Sequence, residues 1–158
     1  MMRHKQAPRR SIDGDFAYNN KQIAKFINYL MRDGKKTVAQ KVFYAAFDLI
    51  TKKELDPIAT FEKALDYVGP KQEVKAKRVG GANYQIPMEV RPERRSALAM
   101  KWIVDAARKR SNKDYKIFEE KLAAEIMDAA NEQGEAIKKR DSILRMAQAN
   151  RAFGHFRR

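Results

Sequence analysis

QEVKAKRVGGANYQIPMEVRPERR, Gln72–Arg95, is the stretch that decides the fold. Val74 and Ala76, then Tyr84, Ile86, Met88 and Val90, recur at every second position on either side of Gly80-Gly81. A period of two belongs to a strand, and a glycine pair between two such runs signals a hairpin. The first arm carries Lys75, Lys77 and Arg78 against the single acid Glu73. One narrow ribbon therefore presents dense positive charge, which reads as an arm reaching for an anion.

Everything outside the ribbon has helical spacing. Upstream, Ile23, Phe26, Ile27 and Leu30 make one apolar stripe from about Asn20, stopped by Asp33-Gly34. Lys35 and Lys36 follow at the N-terminal side of the next helix. The helix dipole disfavours cations there unless an anion is near, so both are candidate ligands for one. The second helix, Thr37–Thr51, sets Val38, Val42, Ala45 and Leu49 on one side and Phe43, Phe47 and Ile50 on another. Apolar around so much of its circumference, it is expected at the centre of a bundle, with its aromatic rings in the core. Asp56-Pro57 opens a third helix on Ile58, Phe61, Leu65 and Val68, which breaks at Gly69-Pro70.

Downstream, Pro92 opens a fourth helix to about Arg110 with Leu98, Ala99, Trp102, Ile103, Ala106 and Ala107 on its apolar face. Arg94, Lys101 and Arg108 recur at steps of seven, so they fall in a line that begins where the ribbon ends. A fifth helix is expected from about Lys113 to Asn131. A sixth is expected from about Glu135 to Ala149, with Gly134 between them. The expected fold is mainly α: a six-helix bundle with one protruding antiparallel β-hairpin between helices 3 and 4. The parts are a basic flexible tail (1–19), helices 1 to 3 (20–71), the hairpin arm (72–91), helices 4 to 6 (92–150) and a basic, aromatic tail (151–158).

Composition points the same way. In 158 residues, 34 Lys plus Arg against 20 Asp plus Glu give a net charge of +14. So much self-repulsion is relieved by a partner with a phosphate backbone. The first tail contributes Arg3, Lys5, Arg9 and Arg10 with no acid before Asp13. The last, NRAFGHFRR, interleaves Arg151, Arg157 and Arg158 with Phe153, His155 and Phe156, a pattern suited to stacking on bases and pairing with phosphates. Either Phe153 or Phe156 is also expected to pin this tail to the bundle. With no cysteine there is no disulfide framework or thiolate metal site, and a reducing cytosol is permitted. No apolar run is long enough to span a bilayer, so no membrane partner is expected.

Catalytic chemistry finds no purchase. His4 and His155 lie in opposite tails, the serines lack a nucleophile-elbow context, and Gly80-Gly81 matches no phosphate-loop spacing. Glu119 and Glu120 are helical neighbours that point apart. The expectation is no enzyme, no cofactor and no metal.

The strings LMRDGKK (Leu30–Lys36), KRVGGANYQIP (Lys77–Pro87), EVRPERR (Glu89–Arg95), AARKRS (Ala106–Ser111) and RMAQANRAFGHFR (Arg145–Arg157) resemble the small-subunit ribosomal protein seven family, bacterial type. That resemblance implies a structural constituent of the small ribosomal subunit in the cytoplasm. It implies a primary binder of the 3′ major domain of small-subunit ribosomal RNA that nucleates assembly of the head. The contact set it implies is Lys35, Lys36, Lys75, Lys77, Arg78, Arg91, Arg94 and Arg95. Lys101, Arg108, Lys109 and Arg110 of the fourth helix and Arg3, Lys5, Arg9 and Arg10 of the tail join that set. The ribbon tip, Val79, Gly80, Gly81, Ala82, Asn83 and Tyr84, would lie near exit-site transfer RNA and messenger RNA. Arg151, His155 and Phe156 would lie near transfer RNA and the neighbouring ribosomal protein eleven. The free protein is expected to be monomeric. The alternative reading is a non-ribosomal helical DNA-binding or nucleoid protein, which would share the charge but place a recognition helix in a major groove.

Overall fold

A computed structural model gives the fold, and the structure describes residues 11–157. Arg3, Lys5, Arg9 and Arg10 lie outside the described residues, as do the side chains of Val79, Phe156 and Arg157. Six helices and one two-stranded antiparallel hairpin follow in the expected order.

α1, Lys21–Leu30, is capped by Asn20, whose side-chain oxygen accepts the Gln22 N–H at 2.8 Å. It buries Ile23, Phe26, Ile27 and Leu30. The helix ends before the expected Asp33-Gly34 stop. Asp33 and Gly34 both take positive φ (53° and 72°) in the turn that reverses the chain, so they belong to the connection and not to the helix cap. α2, Lys36–Thr51, buries Ala39, Phe43, Ala46, Phe47 and Ile50. Phe26, Phe43, Phe47 and Phe61 form one ring cluster with centroids 4.2 to 5.9 Å apart. α3, Pro57–Val68, starts on Asp56, which accepts the Ile58 N–H.

The centre of the bundle differs from the expectation. α2 buries only one of its two apolar sides: Val42, Ala45 and Leu49 are half-buried, and Val38 is 53 % exposed. The central helix is α5, Phe118–Ala130, which packs on α2, α3, α4 and α6. The small side chains of Ala123, Ala124 and Ala129 let its neighbours approach closely, and even Lys121 and Glu125 are buried. α5 also starts five residues later than Lys113 suggested, because 112–114 form a turn and the chain then runs through extended Ile117 into the helix. α4 is Pro92–Lys109, and α6 is Glu135–Ala149.

The ribbon comprises β1, Gln72–Val79, and β2, Ala82–Glu89, joined by Gly80 and Gly81 at φ 58° and 91°. Positive φ at both central residues is what a type I′ hairpin turn requires. The register runs from Gln72 opposite Glu89 to Val79 opposite Ala82. A two-residue turn pairs every even position with an odd one, and opposed residues share a face. Tyr84, Ile86 and Met88 therefore lie with Lys77, Lys75 and Glu73, while Val74 and Ala76 lie on the other face with Pro87 and Gln85. The face bearing Ile86 is covered on its β2 side: Ile86 is 2 % exposed, and Tyr84 meets Phe153 with centroids 5.1 Å apart. Phe153 belongs to a C-terminal 3-10 turn, Arg151–Arg157, that packs on β2. Segment Arg151–Arg157 thus packs on the ribbon, and Phe153, one of the two rings expected to pin the tail to the bundle, meets Tyr84 of the ribbon instead.

Candidate nucleic-acid interface

The corner between α1 and α2 is built by backbone bonds, Lys35 N–H to Arg32 O (3.0 Å) and Lys36 N–H to Gly34 O (2.9 Å). These bonds leave the Lys35 and Lys36 side chains exposed at an α2 N-terminus that has no acidic residue in its first turn and no side-chain cap. Arg32, Lys35 and Arg108 surround an apolar recess of about 230 Å³ lined by Leu30, Val38, Ala39, Val42 and Phe118. Arg108 reaches across from α4 to donate to the Leu30 carbonyl at 3.3 Å. Its pKa is lowered, first by burial and then by repulsion from Arg32, with Asp105 acting in the opposite sense. Arg32 was not expected in this group. Its signal in the sequence was proximity to the Gly34 turn, which folds it back towards Arg108.

Beyond Arg108, Lys101 is exposed on the outer face of α4, one heptad from Arg94. A groove of about 530 Å³ runs between α1 and the start of α4, lined among others by Lys25, Asn28, Tyr29, Ser96 and Met100. Arg94 itself makes a bidentate pair with Glu73, Nε to Oε1 at 2.7 Å and NH2 to Oε2 at 2.9 Å. The Glu73 hydrogen bond and charge raise its pKa. This fork ties the root of the ribbon to α4. Arg91 and Lys109 are exposed at the two ends of α4.

Besides Arg94 and Arg108, two further expected cations are engaged by the fold. Arg95 donates to the Gly69 and Asp66 carbonyls at 3.1 and 2.7 Å, satisfying the C-terminus of α3. Arg110 is almost enclosed: its Nε donates to Glu125 at 2.7 Å, and its NH2 pairs with Asp128. Burial would depress this guanidinium, but the two carboxylates more than offset it, and its pKa is raised. The structure thus gathers Lys35, Lys36, Lys101, Arg108 and Arg94 along the α1–α2 corner and α4. Arg95 and Arg110 turn away from them.

On the ribbon, Lys75 and Lys77 share one face and Arg78 takes the other, all exposed near a tip that has Gly81, Ala82 and Asn83 in solvent. Arg151 and His155 are exposed on the 3-10 turn beside β2, with the His155 ring nitrogen Nδ1 2.8 Å from the Ala152 carbonyl. Ribbon tip and C-terminal turn therefore form a second basic region. Among the described residues no group of His, Asp or Glu is placed to hold a metal ion. Among them, too, no helix is long and apolar enough to cross a membrane.

The family model for ribosomal protein S7p/S5e matches residues 2–151. The chain belongs to that family. It is 54 % identical over 157 residues to small ribosomal subunit protein uS7 of Thioalkalivibrio sulfidiphilus, 51 % over 158 residues to that of Dechloromonas aromatica and 52 % over 158 residues to that of Moorella thermoacetica. In each case 99 % of both chains is covered. As a family member it is a structural, non-enzymatic constituent of the small ribosomal subunit, working in the cytoplasm within the ribosome. A non-ribosomal DNA-binding role is not favoured.

Proposed function

We propose that the chain is a primary binder of the 3′ major domain of small-subunit ribosomal RNA and nucleates assembly of the subunit head. The observations that support this reading are two sets of exposed cations, Lys35, Lys36 and Lys101 on the α1–α2 corner and α4, and Lys75, Lys77 and Arg78 on the ribbon. RNA helices that converge at a junction repel one another. A rigid basic flank bridges them by displacing counterions from their phosphates. Specificity comes from junction shape and unstacked bases, because the A-form major groove is closed to side chains. In the assembled subunit the tip around Gly81, Ala82 and Asn83 and the turn bearing Arg151 and His155 border exit-site transfer RNA and messenger RNA. Neighbouring proteins, protein eleven among them, meet the C-terminal turn, and the chain is a monomer before assembly.

The test replaces Lys75, Lys77 and Arg78 together by Glu. Titration against deproteinised small-subunit ribosomal RNA at several salt concentrations should show weaker binding. The slope of log K against log salt should flatten by about 0.7 to 0.9 for each phosphate that is no longer neutralised. A slope equal to that of the parent removes the ribbon from the interface.

A further inference from the structure

Phe16 is 98 % exposed, whereas the next most exposed large apolar side chains, Val38 and Ile117, are at 53 % and 52 %. The turn that carries the ring is fixed by hydrogen bonds to Asp15. The carboxylate of Asp15, itself 6 % exposed, accepts the N–H groups of Ala17 (3.1 Å) and Tyr18 (3.3 Å) and the Tyr44 hydroxyl (2.6 Å). The Asp15 carbonyl accepts the Asn19 N–H at 2.8 Å. On the far side of the turn the Tyr18 ring packs on Phe47, with centroids 5.6 Å apart. Phe16 is thus held outward by a turn anchored on both flanks, and its π-face is fully presented to solvent.

The surroundings of the ring are mixed. A recess of about 530 Å³ beside it is lined by Asn28, Gln40 and Lys36 and by the apolar Ala24 and Ile27, together with segment 11–15, which includes Ile12 and Asp13. An aromatic face, two side-chain amides and an ammonium bordering one recess suit the three parts of a nucleotide: base face, base edge and phosphate. An apolar peptide would meet unpaired amides and a lysine there, at a desolvation cost.

We propose that Phe16 is a stacking platform for one unpaired base of the bound RNA, with Asn28 and Gln40 at the base edge and Lys36 on the adjoining phosphate. This rests on the reading of the chain as an RNA binder, and it adds a point of discrimination that charge alone does not supply. A stack is insensitive to counterions, so removing it has a signature distinct from that of removing a phosphate-binding cation.

The experiment measures binding of Phe16→Ala and Phe16→Trp to deproteinised small-subunit ribosomal RNA across a salt series, beside the Lys75, Lys77 and Arg78 triple Glu variant. Thermal melting of each variant checks the fold. Phe16→Ala should bind about 5- to 150-fold more weakly, the range for one base stack, with the salt slope of the parent. Phe16→Trp should keep near-parent affinity, and its added emission should be quenched by the RNA. If Phe16→Ala binds like the parent while the triple variant is weakened, the platform is wrong and the RNA-binding reading stands. If both bind like the parent, the platform and the ribbon contact are both wrong; if the parent itself fails to bind the RNA, the RNA-binding reading falls with them. Normal RNA binding by Phe16→Ala combined with failure to enter subunits would assign the ring to a protein neighbour and overturn the proposal. Blue-shifted Phe16→Trp emission unmoved by RNA would assign the ring to cover by residues 1–10 and would equally overturn it.

Discussion

Arg110 is the residue at which charge and role part company. In the sequence it closes the basic run Arg108-Lys109-Arg110, but its guanidinium serves the core by pairing with Glu125 and Asp128. Glu125 is fully buried, and its other oxygen accepts the Ala136 N–H at 3.0 Å, the first turn of α6. Removing Arg110 would leave that carboxylate uncompensated. Arg110→Ala should therefore lower unfolding stability by about 3 to 5 kcal/mol in urea titrations. Lys101→Ala, a change at an exposed site, should stay within about 0.5 kcal/mol. Equal destabilisation of the two variants would contradict the assignment.

Tyr44 gives a pH test at the same scale. Burial first, and then the hydrogen bond and charge of Asp15, raise its hydroxyl pKa from 10.0 to about 12. Between those values the unfolded chain has lost a proton that the native state keeps, so stability falls as pH rises. The contribution is fully present below the unfolded value of 10.0 and is gone above about 12. Melting temperatures of the parent should therefore drop more steeply across this window than those of Tyr44→Phe. Parallel curves would show that the hydroxyl is not linked to folding. No sequence pattern announced this pair, because Asp15 precedes the first helix by chain position and meets α2 only in space.

Among the elements, the ribbon and the helix faces were legible because their periods are local. The six helices and the Gly80-Gly81 turn follow from spacing of two, spacing near 3.6 and capping residues such as Asn20 and Asp56. The identity of the central helix was not legible. α2 advertises more bulky apolar residues, yet α5 sits at the centre because alanines allow close packing, and small side chains give a weak hydrophobic signal. The candidate site divides the same way. Steps of seven singled out Arg94, Lys101 and Arg108, of which Lys101 is exposed, but which carboxylate or carbonyl would capture Arg94, Arg95, Arg108 or Arg110 depends on distant chain. At the turn, Gly81→Ala would force a side chain to φ 91°, with no steric contact nearby. The strain should cost about 1 to 2 kcal/mol. It should appear as faster hydrogen exchange in 72–89 with little change in melting of the helical bundle. A lowered melting temperature with unchanged ribbon exchange would mean that ribbon and bundle unfold as one unit.

For the molecule as a whole, +14 is held in a fold whose internal ion pairs, such as Arg110 with Glu125, are few among the described residues beside its exposed lysines. Self-repulsion then opposes folding, and added salt screens it. Raising sodium chloride from about 0.05 to 0.5 M, where the screening length shortens from over 10 Å to a few Å, should raise the melting temperature of the free protein. The same change should weaken its affinity for RNA. A melting temperature that falls over this range would show that attractive pairs outweigh the excess charge.

The Glu73–Arg94 fork sets the angle at which the ribbon leaves its support. Eight residues per strand give a lever of about 27 Å at roughly 3.4 Å per residue. A tilt of a few degrees at the fork is magnified to a displacement of ångströms at the glycines, so the aim of the outermost backbone depends on this brace at the pivot together with the Tyr84–Phe153 contact nearer the tip.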